Sequence, residues 1–249
     1  MRWWLLILCG VMAYLSFLLA GMPSQYINNL LSSGNLPISL EQSSGSVWHG
    51  EANQARYKSV GLGPVKWQFD VLGLLKGRIQ FRLILDGTDQ DLSGYVAKDM
   101  LTGTLCLSQI RGMLAVDRLL RLYDQTAISA NGELELDLQE LRISHRQILS
   151  AQGEVRWLDA RVQQPINAEL GNLQFTLVGD ENGLESHIKD LSGPIRVDGK
   201  IFLLPDGSYR LQGKLASTDA SSRNLLSQLQ SIGRPLADGS IQIDYGGRY

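Results

Sequence analysis

Apolar side chains recur at every second position through much of this chain, a spacing that strands can satisfy and amphipathic helices cannot. Ile79, Phe81, Leu83 and Leu85 alternate with Gln80 and Arg82, and Leu134, Leu136 and Leu138 alternate with Glu133, Glu135, Asp137 and Gln139. Successive side chains of a strand point to opposite faces, so each run predicts a strand with one buried face and one wet face. Similar runs occupy residues 173–177, 209–215 and 241–245. Turn chemistry separates them at Asp86-Gly87, Asn131-Gly132, Asn182-Gly183, Pro205-Asp206-Gly207 and Asp238-Gly239, and residues 202–209 read as a hairpin. Most gaps are too short for crossover helices, which predicts an antiparallel meander rather than a parallel sheet. Two stretches depart from the period of two. Residues 116–123 have a short helical spacing, and residues 221–232 place Leu225, Leu226, Leu229 and Ile232 on one stripe that Gly233 ends.

The start of the chain is of another kind. Between Arg2 and Glu41 there is no Asp, Glu, Lys or Arg, and residues 3–20 are almost wholly apolar. A helix needs about 20 apolar residues to cross a bilayer core, and this run supplies close to that. A cleaved signal peptide competes, with Arg2 as a minimal positive region and Leu18-Leu19-Ala20 as a weak cleavage site. The run exceeds the ~7–15 residues of a signal core, and no small residue stands two positions before Ala20, so an uncleaved anchor is favoured. Arg2 is the basic residue near its ends and the next is Arg56, which puts the amino terminus in the cytoplasm and the rest outside. The expected division is therefore 1–22, a cytoplasmic stub and transmembrane anchor, and 23–249, an exported β-rich domain. Residues 23–31 could continue as a short juxtamembrane helix that Gly34 ends.

The exported part, of about 225 residues, can build one sizeable core or two small ones. The whole chain has Lys+Arg 23 against Asp+Glu 25, a formal net charge of −2 with both signs scattered, so no basic tract argues for nucleic acid or for an anionic membrane surface. Cys9 lies in the apolar run and Cys106 stands alone outside it, so no disulfide forms within the exported part. Pro64-Val65-Lys66-Trp67 recurs in kind as Glu154-Val155-Arg156-Trp157, which predicts two similar strand-rich halves of about 90 residues.

Residues that carry chemistry are sparse. His49, His145 and His187 lie far apart, none at metal-ligand spacing to another His or to Cys. The carboxylates of residues 86–91 lack the full ligand series of a calcium loop and read as a hairpin turn, while Glu133, Glu135 and Asp137 fall on the wet face of a strand. There is no Gly-x-Ser-x-Gly elbow, and Gly61-Leu62-Gly63 leads into Pro64 rather than a phosphate-cradling helix. No catalytic, cofactor or metal site is expected, and the chain does not read as an enzyme. The residues singled out as structural or interaction candidates are Gly45, Trp48, Gly50, Trp67 and Trp157, since large aromatics in strands dominate cores and interfaces alike. Trp48, between Gly45 and Gly50 in a strand-like run, reads as a core staple whose indole fills the space above a glycine, with an exposed partner contact as the alternative.

These residues also carry a family resemblance. Ser44-Gly45-Ser46-Val47-Trp48-His49-Gly50-Glu51-Ala52 resembles the signature "sGsvW.G.a" of the type II secretion system protein N family of Gram-negative bacteria. Trp67 with Leu72, Leu74 and Leu75 is similar to that family's "W.l.p..Ll.g" stretch, with Val71 where the pattern has a proline. Residues 153–160, around Trp157, resemble its second Gly/Trp block, and Leu229, Gly233, Asp238-Gly239 and Tyr245-Gly246 its closing "L..lG....dG" segment. The resemblance implies an accessory subunit in the cell inner membrane, single-pass, with its bulk in the periplasm. It would support assembly or stability of the machine that exports folded proteins across the outer membrane, in contact with other secretion subunits and without enzymatic residues. The expected fold is thus mainly β: an N-terminal transmembrane helix, then a curved antiparallel sheet with a few short helices. Such a tethered sheet also resembles AsmA-like envelope proteins, for which lipid in an apolar β-groove would be the function; a packed second layer over the apolar face is the favoured expectation, and it would exclude that groove.

Overall fold

Period-two runs joined by tight turns should pair in chain order, and they do. The computed structural model describes residues 3–4, 7, 10–11, 14, 21–27, 37–58, 60–87, 90–122, 129–144, 147–164, 167–180, 182–218 and 233–248. Its strands are β1 (Ile38–Gly45), β2 (His49–Tyr57), β3 (Val60–Asp70), β4 (Arg78–Gly87), β5 (Gln90–Asp99), β6 (Leu105–Ala115), β7 (Ser129–Ser144), β8 (Gln147–Gln164), β9 (Ala168–Asp180), β10 (Gly183–Ser192), β11 (Ile195–Leu203), β12 (Ser208–Ser217), β13 (Arg234–Pro235) and β14 (Ile241–Arg248). Helix α1 (Val71–Leu75) follows β3 and helix α2 (Val116–Leu122) follows β6. All 14 strands join one sheet: from β1 to β12 each pairs with its neighbour in sequence, and β14 then lies between β12 and β13. Every ladder is antiparallel, so the chain is mainly β, as its spacing predicts.

Register gathers the apolar positions on one face. Val65, Trp67 and Phe69 of β3 stand opposite Leu85, Leu83 and Phe81 of β4. Leu134, Leu136 and Leu138 of β7 meet Trp157, Val155 and Gly153 of β8, and these meet Leu173, Phe175 and Leu177 of β9. The other face carries cross-strand ion pairs, Arg111–Asp137, Arg156–Glu135 and Arg210–Asp244, each at 3.1 Å. Exposed pairs of this kind contribute at most about 1 kcal/mol each, so their main effect is to keep that face wet and the register fixed.

Among the described residues no second sheet covers the apolar face. The packed second layer is therefore replaced by curvature. Cα atoms of β8 and β10, and of β9 and β11, approach within 8 Å across the strand between them, where a flat sheet would keep them about 9.6 Å apart. Helix α2 lies against β6 and β7 and also reaches β3, so the sheet curls around it. Bulges supply the bend. Gln109 (φ 52°) and Asp159 (φ 48°) adopt the left-handed region, each beside a register shift in its ladder. The Asp159 N–H donates to Asn172 Oδ1 at 2.8 Å, and Asn172 Nδ2 donates to Ser192 Oγ at 2.9 Å, tying the kink in β8 to β9 and β10. The chain exposes 16213 Å², against about 11,000 Å² for a compact monomer of its mass. A single-layer sheet and the exposed helical residues Trp3, Trp4, Ile7 and Tyr14 at the start of the chain both add to that excess.

Several expectations are corrected. Asn131-Gly132 lies inside β7 rather than at a turn, and Trp48 lies in the turn between β1 and β2 rather than in a strand. The helix expected over 221–232 falls outside the described residues, as do His145, Cys9 and residues 28–31 of the juxtamembrane segment, whose residues 25–27 are helical. Of the apolar run 3–20, Trp3, Trp4, Ile7, Gly10, Val11 and Tyr14 are described and helical; the rest lies outside. No helix among the described residues is long and apolar enough to cross a membrane.

Curvature makes burial uneven, and this is testable. Ile195 (0% exposed) and Ile241 (1%) are the largest fully buried side chains described, whereas Val178 on the outer face is 60% exposed. Ile195→Ala should cost about 2–5 kcal/mol in thermal or denaturant unfolding, while Val178→Ala should stay within about 0.5 kcal/mol. Similar losses at both positions would mean that the outer face is covered too.

Candidate interaction site

Four of the five singled-out residues meet at one corner of the sheet. Gly45 ends β1 with φ +91°, and a Cβ there would lie 2.6 Å from the His49 carbonyl oxygen, so the turn into β2 needs a glycine. Gly50 pairs with Trp67, and a Cβ on Gly50 would meet Trp67 Cζ2 at 2.5 Å. The indole occupies, with its six-membered ring, the space that a Gly50 side chain would need. Its Nε1–H donates to the Ser46 carbonyl at 3.1 Å, so the one polar atom of this 6%-exposed side chain is satisfied by the turn itself. Ala52, Ala55 and Val65 complete this core, with Ile27, Leu40, Phe81 and Leu83 packed against it.

Thus Trp67, not Trp48, fills the space above a glycine. Trp48 packs edge-on against Phe69 (centroids 4.9 Å, 62°), and Phe69 in turn against Phe81 (5.2 Å, 61°). The Trp48 carbonyl accepts from the Phe69 N–H at 2.6 Å, which fastens the β1–β2 turn to the end of β3. Phe69 and Ser46 were not singled out in the sequence. Ser46 acts through its main-chain carbonyl, an atom with no side-chain signature, and Phe69 is one apolar residue among many in a strand.

Trp157 lies apart, on β8, yet repeats the arrangement. Its Nε1–H donates to the Asn131 carbonyl at 3.0 Å, and a Cβ on Gly132 would meet Trp157 Nε1 at 2.7 Å. In both places an indole covers a glycine of the preceding strand and hydrogen-bonds a main-chain carbonyl close to it. Around Trp157 the concave face forms a hollow of about 320 Å³ lined by Leu134, Val155, Phe175, Leu177, Ile201 and Leu203 among others. It could take apolar groups and has little to orient them.

The polar groups are dispersed. His49 Nδ1 stands 3.3 Å from Ser46 Oγ, His187 Nε2 stands 2.8 Å from Glu185 Oε1, and Cys106 is buried. Among the described residues no group of three His, Cys, Asp or Glu is placed to hold a metal ion. The Lys200 ammonium beside Glu185 and the Arg210 guanidinium beside Asp244 hold those carboxyls below their usual range. Lys214 and Ser240 do the same for Asp238. A carboxylate depressed in the folded state stabilises above its unfolded pKa, about 4, and loses that contribution as pH falls through the folded value. These pairs are surface clasps that act at neutral pH.

The geometry is that of a scaffold with anchored aromatic corners, and comparison with known proteins gives it a family. The family "Type II secretion system (T2SS), protein N" matches residues 37–244, from the start of β1 into β14. This chain belongs to that family. Proteins named "Type II secretion system protein N" from Klebsiella pneumoniae and Pectobacterium carotovorum subsp. carotovorum are 29% and 24% identical to it, covering 95% and 96% of this chain and 92% and 94% of theirs. The protein of that name from Vibrio cholerae is 25% identical over 88% of both chains. No solved structure matches. The protein N match takes in both tryptophan corners and the hollow between β7 and β11.

If the two corners are equivalent packing units of this protein N chain, overpacking either should damage it. Gly50→Ala and Gly132→Ala should each cost about 1–3 kcal/mol, and Trp67→Ala about 3–5 kcal/mol, in thermal unfolding. A Gly50→Ala protein that melts like the parent would show that the indole does not rest on that glycine.

Proposed function

We propose that this chain is an accessory component of the type II secretion machinery, held in the inner membrane by residues 1–22, with residues 23–249 in the periplasm. There it supports assembly or stability of the apparatus that exports folded proteins across the outer membrane, through contacts with other secretion subunits and without catalysis. The match to the protein N family over nearly the whole sheet carries this proposal. It favours the secretion component over the AsmA-like lipid binder expected as the alternative.

The anchor has separate support. Trp3, Trp4, Ile7, Val11 and Tyr14 are helical and strongly exposed, an arrangement that is unfavourable in water at about 25 cal/mol per Å² of apolar surface and favourable in lipid. Two related halves within 23–249 are supported by the paired corners, Trp67 on Gly50 and Trp157 beside Gly132. As interaction residues we propose Gly45, Trp48, Gly50, Trp67 and Trp157. Trp67 and Trp157 act by fixing the sheet's shape, and Trp48 acts at the turn, where it is partly exposed.

The test is isolation of the full chain from native membranes. It should fractionate with the inner membrane, keep Met1 or Arg2 at its amino terminus, and co-purify with other type II secretion subunits. Trp48→Ala should then show where that side chain acts: lowered abundance with parallel loss of co-purification means packing, and normal melting with lost co-purification means direct contact. A mature chain starting near Gly21, or purification free of any secretion subunit, would contradict the proposal.

A further inference from the structure

One end of the sheet carries an exposed apolar edge that neither the core nor the tryptophan corners use. The β1–β2 turn, helix α1 and the β5–β6 turn lie side by side there. The Phe69 N–H donates to the Trp48 carbonyl at 2.6 Å, joining the first turn to the start of α1, and the Met100 N–H donates to the Gly77 carbonyl at 3.1 Å, joining the last turn to its end. Along this edge Val71 (65% exposed), Leu72 (66%), Leu75 (85%) and Leu101 (93%) point into solvent, with Met100 beside them. Large apolar side chains clustered in this way mark a surface that something covers.

The turns are built to hold those side chains outward. Asp70 Oδ1 accepts from the Leu72 N–H at 2.9 Å and caps α1. Asp99 Oδ1 accepts from the Leu101 and Thr102 N–H groups at 3.0 and 2.9 Å. Both local carboxylates are thus occupied by main chain, and Asp99 also lies 3.8 Å from Arg78. Lys76 directly follows Leu75, and Lys98, opposite Ile79, precedes the β5–β6 turn; both are exposed. The edge is apolar with cations at its border, the pairing that suits acyl chains beneath anionic headgroups.

The chain itself says what lies next to this edge. The residues that follow the apolar run dock on the same end: the Val47 N–H donates to the Met22 carbonyl at 2.9 Å, the Ser24 N–H donates to the Gly45 carbonyl at 3.1 Å, and Pro23 bridges to Ser46. Met22 is two residues past Ala20, a reach of about 7 Å even when extended. The interfacial zone on each side of a bilayer core is about 5–8 Å deep. We propose that this end of the sheet rests in the membrane interface, with Leu72, Leu75 and Leu101 inserted among the lipids and Lys76 and Lys98 at their headgroups. The proposal rests on residues 3–20 spanning the membrane.

The test uses the full chain in vesicles of phosphatidylethanolamine and phosphatidylglycerol, with Cys9→Ser, Cys106→Ala and a single environment-sensitive fluorophore at Leu75→Cys, Leu101→Cys, Val11→Cys or Asn167→Cys. The two leucines are so exposed that replacing them removes almost no packing, and Asn167 lies at the opposite end of the sheet, between β8 and β9. Labels at 75 and 101 should emit at shorter wavelength than the label at 167 and lose intensity to lipids that carry a nitroxide near the headgroup. The label at 11 should be quenched by nitroxides deeper in the chains. Deep quenching at 11 with 75 and 101 behaving like 167 would overturn the contact and leave the anchor intact. Quenching at 75 and 101 without quenching at 11 would uphold the contact and reject the anchor. Shielding of 75 and 101 from iodide without quenching by lipid would assign the edge to a protein and overturn the lipid contact.

Discussion

A sheet with a single layer can shield its apolar face only by bending toward it. Period-two patterning concentrates the leucines, phenylalanines and tryptophans of successive strands on one side, and antiparallel pairing of sequence neighbours spreads them into a continuous surface. Left flat, that surface would face water along its whole length. The bulges at Gln109 and Asp159, the clamp from Asn172 to Ser192 and the seating of α2 against β7 and β3 follow from this requirement. So does the partial burial of most of the apolar face, since curvature shields side chains less completely than a second layer would.

Bending also explains the tryptophan corners. Where two strands are drawn together on the concave side, a missing Cβ lets the facing indole pass, as Gly50 does for Trp67; Gly132, at φ +114° and with its Cβ position closer to the Leu158 carbonyl than to the indole of Trp157, is required by its own backbone as well. Each indole then finishes its hydrogen bonding on a main-chain carbonyl, Ser46 or Asn131, so neither indole N–H is left unsatisfied. The shape that results has ion pairs on its outer face and an apolar hollow inside.

Much of this was legible in the sequence because the strands are locally encoded. The alternation around Leu83 and Leu136 marked β4 and β7, and the Pro205-Asp206-Gly207 turn between β11 and β12 was marked by residues whose side chains make it, Asp206 accepting from the Ser208 N–H at 2.9 Å. What was not legible depends on neighbours distant in sequence. Asn131-Gly132 has turn composition, yet its glycine serves the indole of Trp157 inside a long strand. Alternation cannot distinguish a face covered by a second layer from one covered by curvature, because both require the same residues. The choice between Trp48 and Trp67 as the residue above Gly50 was likewise set by register, which pairs Gly50 with Trp67 and leaves Trp48 in the turn. Residues 71–75 gave little sign of their exposure, since a short apolar run reads as core until the structure shows which way it faces.

Amide hydrogen exchange across the full chain tests the central claim most directly, because it asks whether one continuous, bent ladder holds the protein together. Protection should rise inward from β1, run unbroken through β6, β7 and β8, and be lost in one collective opening when the protein is destabilised. A fast-exchanging seam within β6 to β8, with the strands on either side opening independently, would contradict it and divide the sheet into separate units.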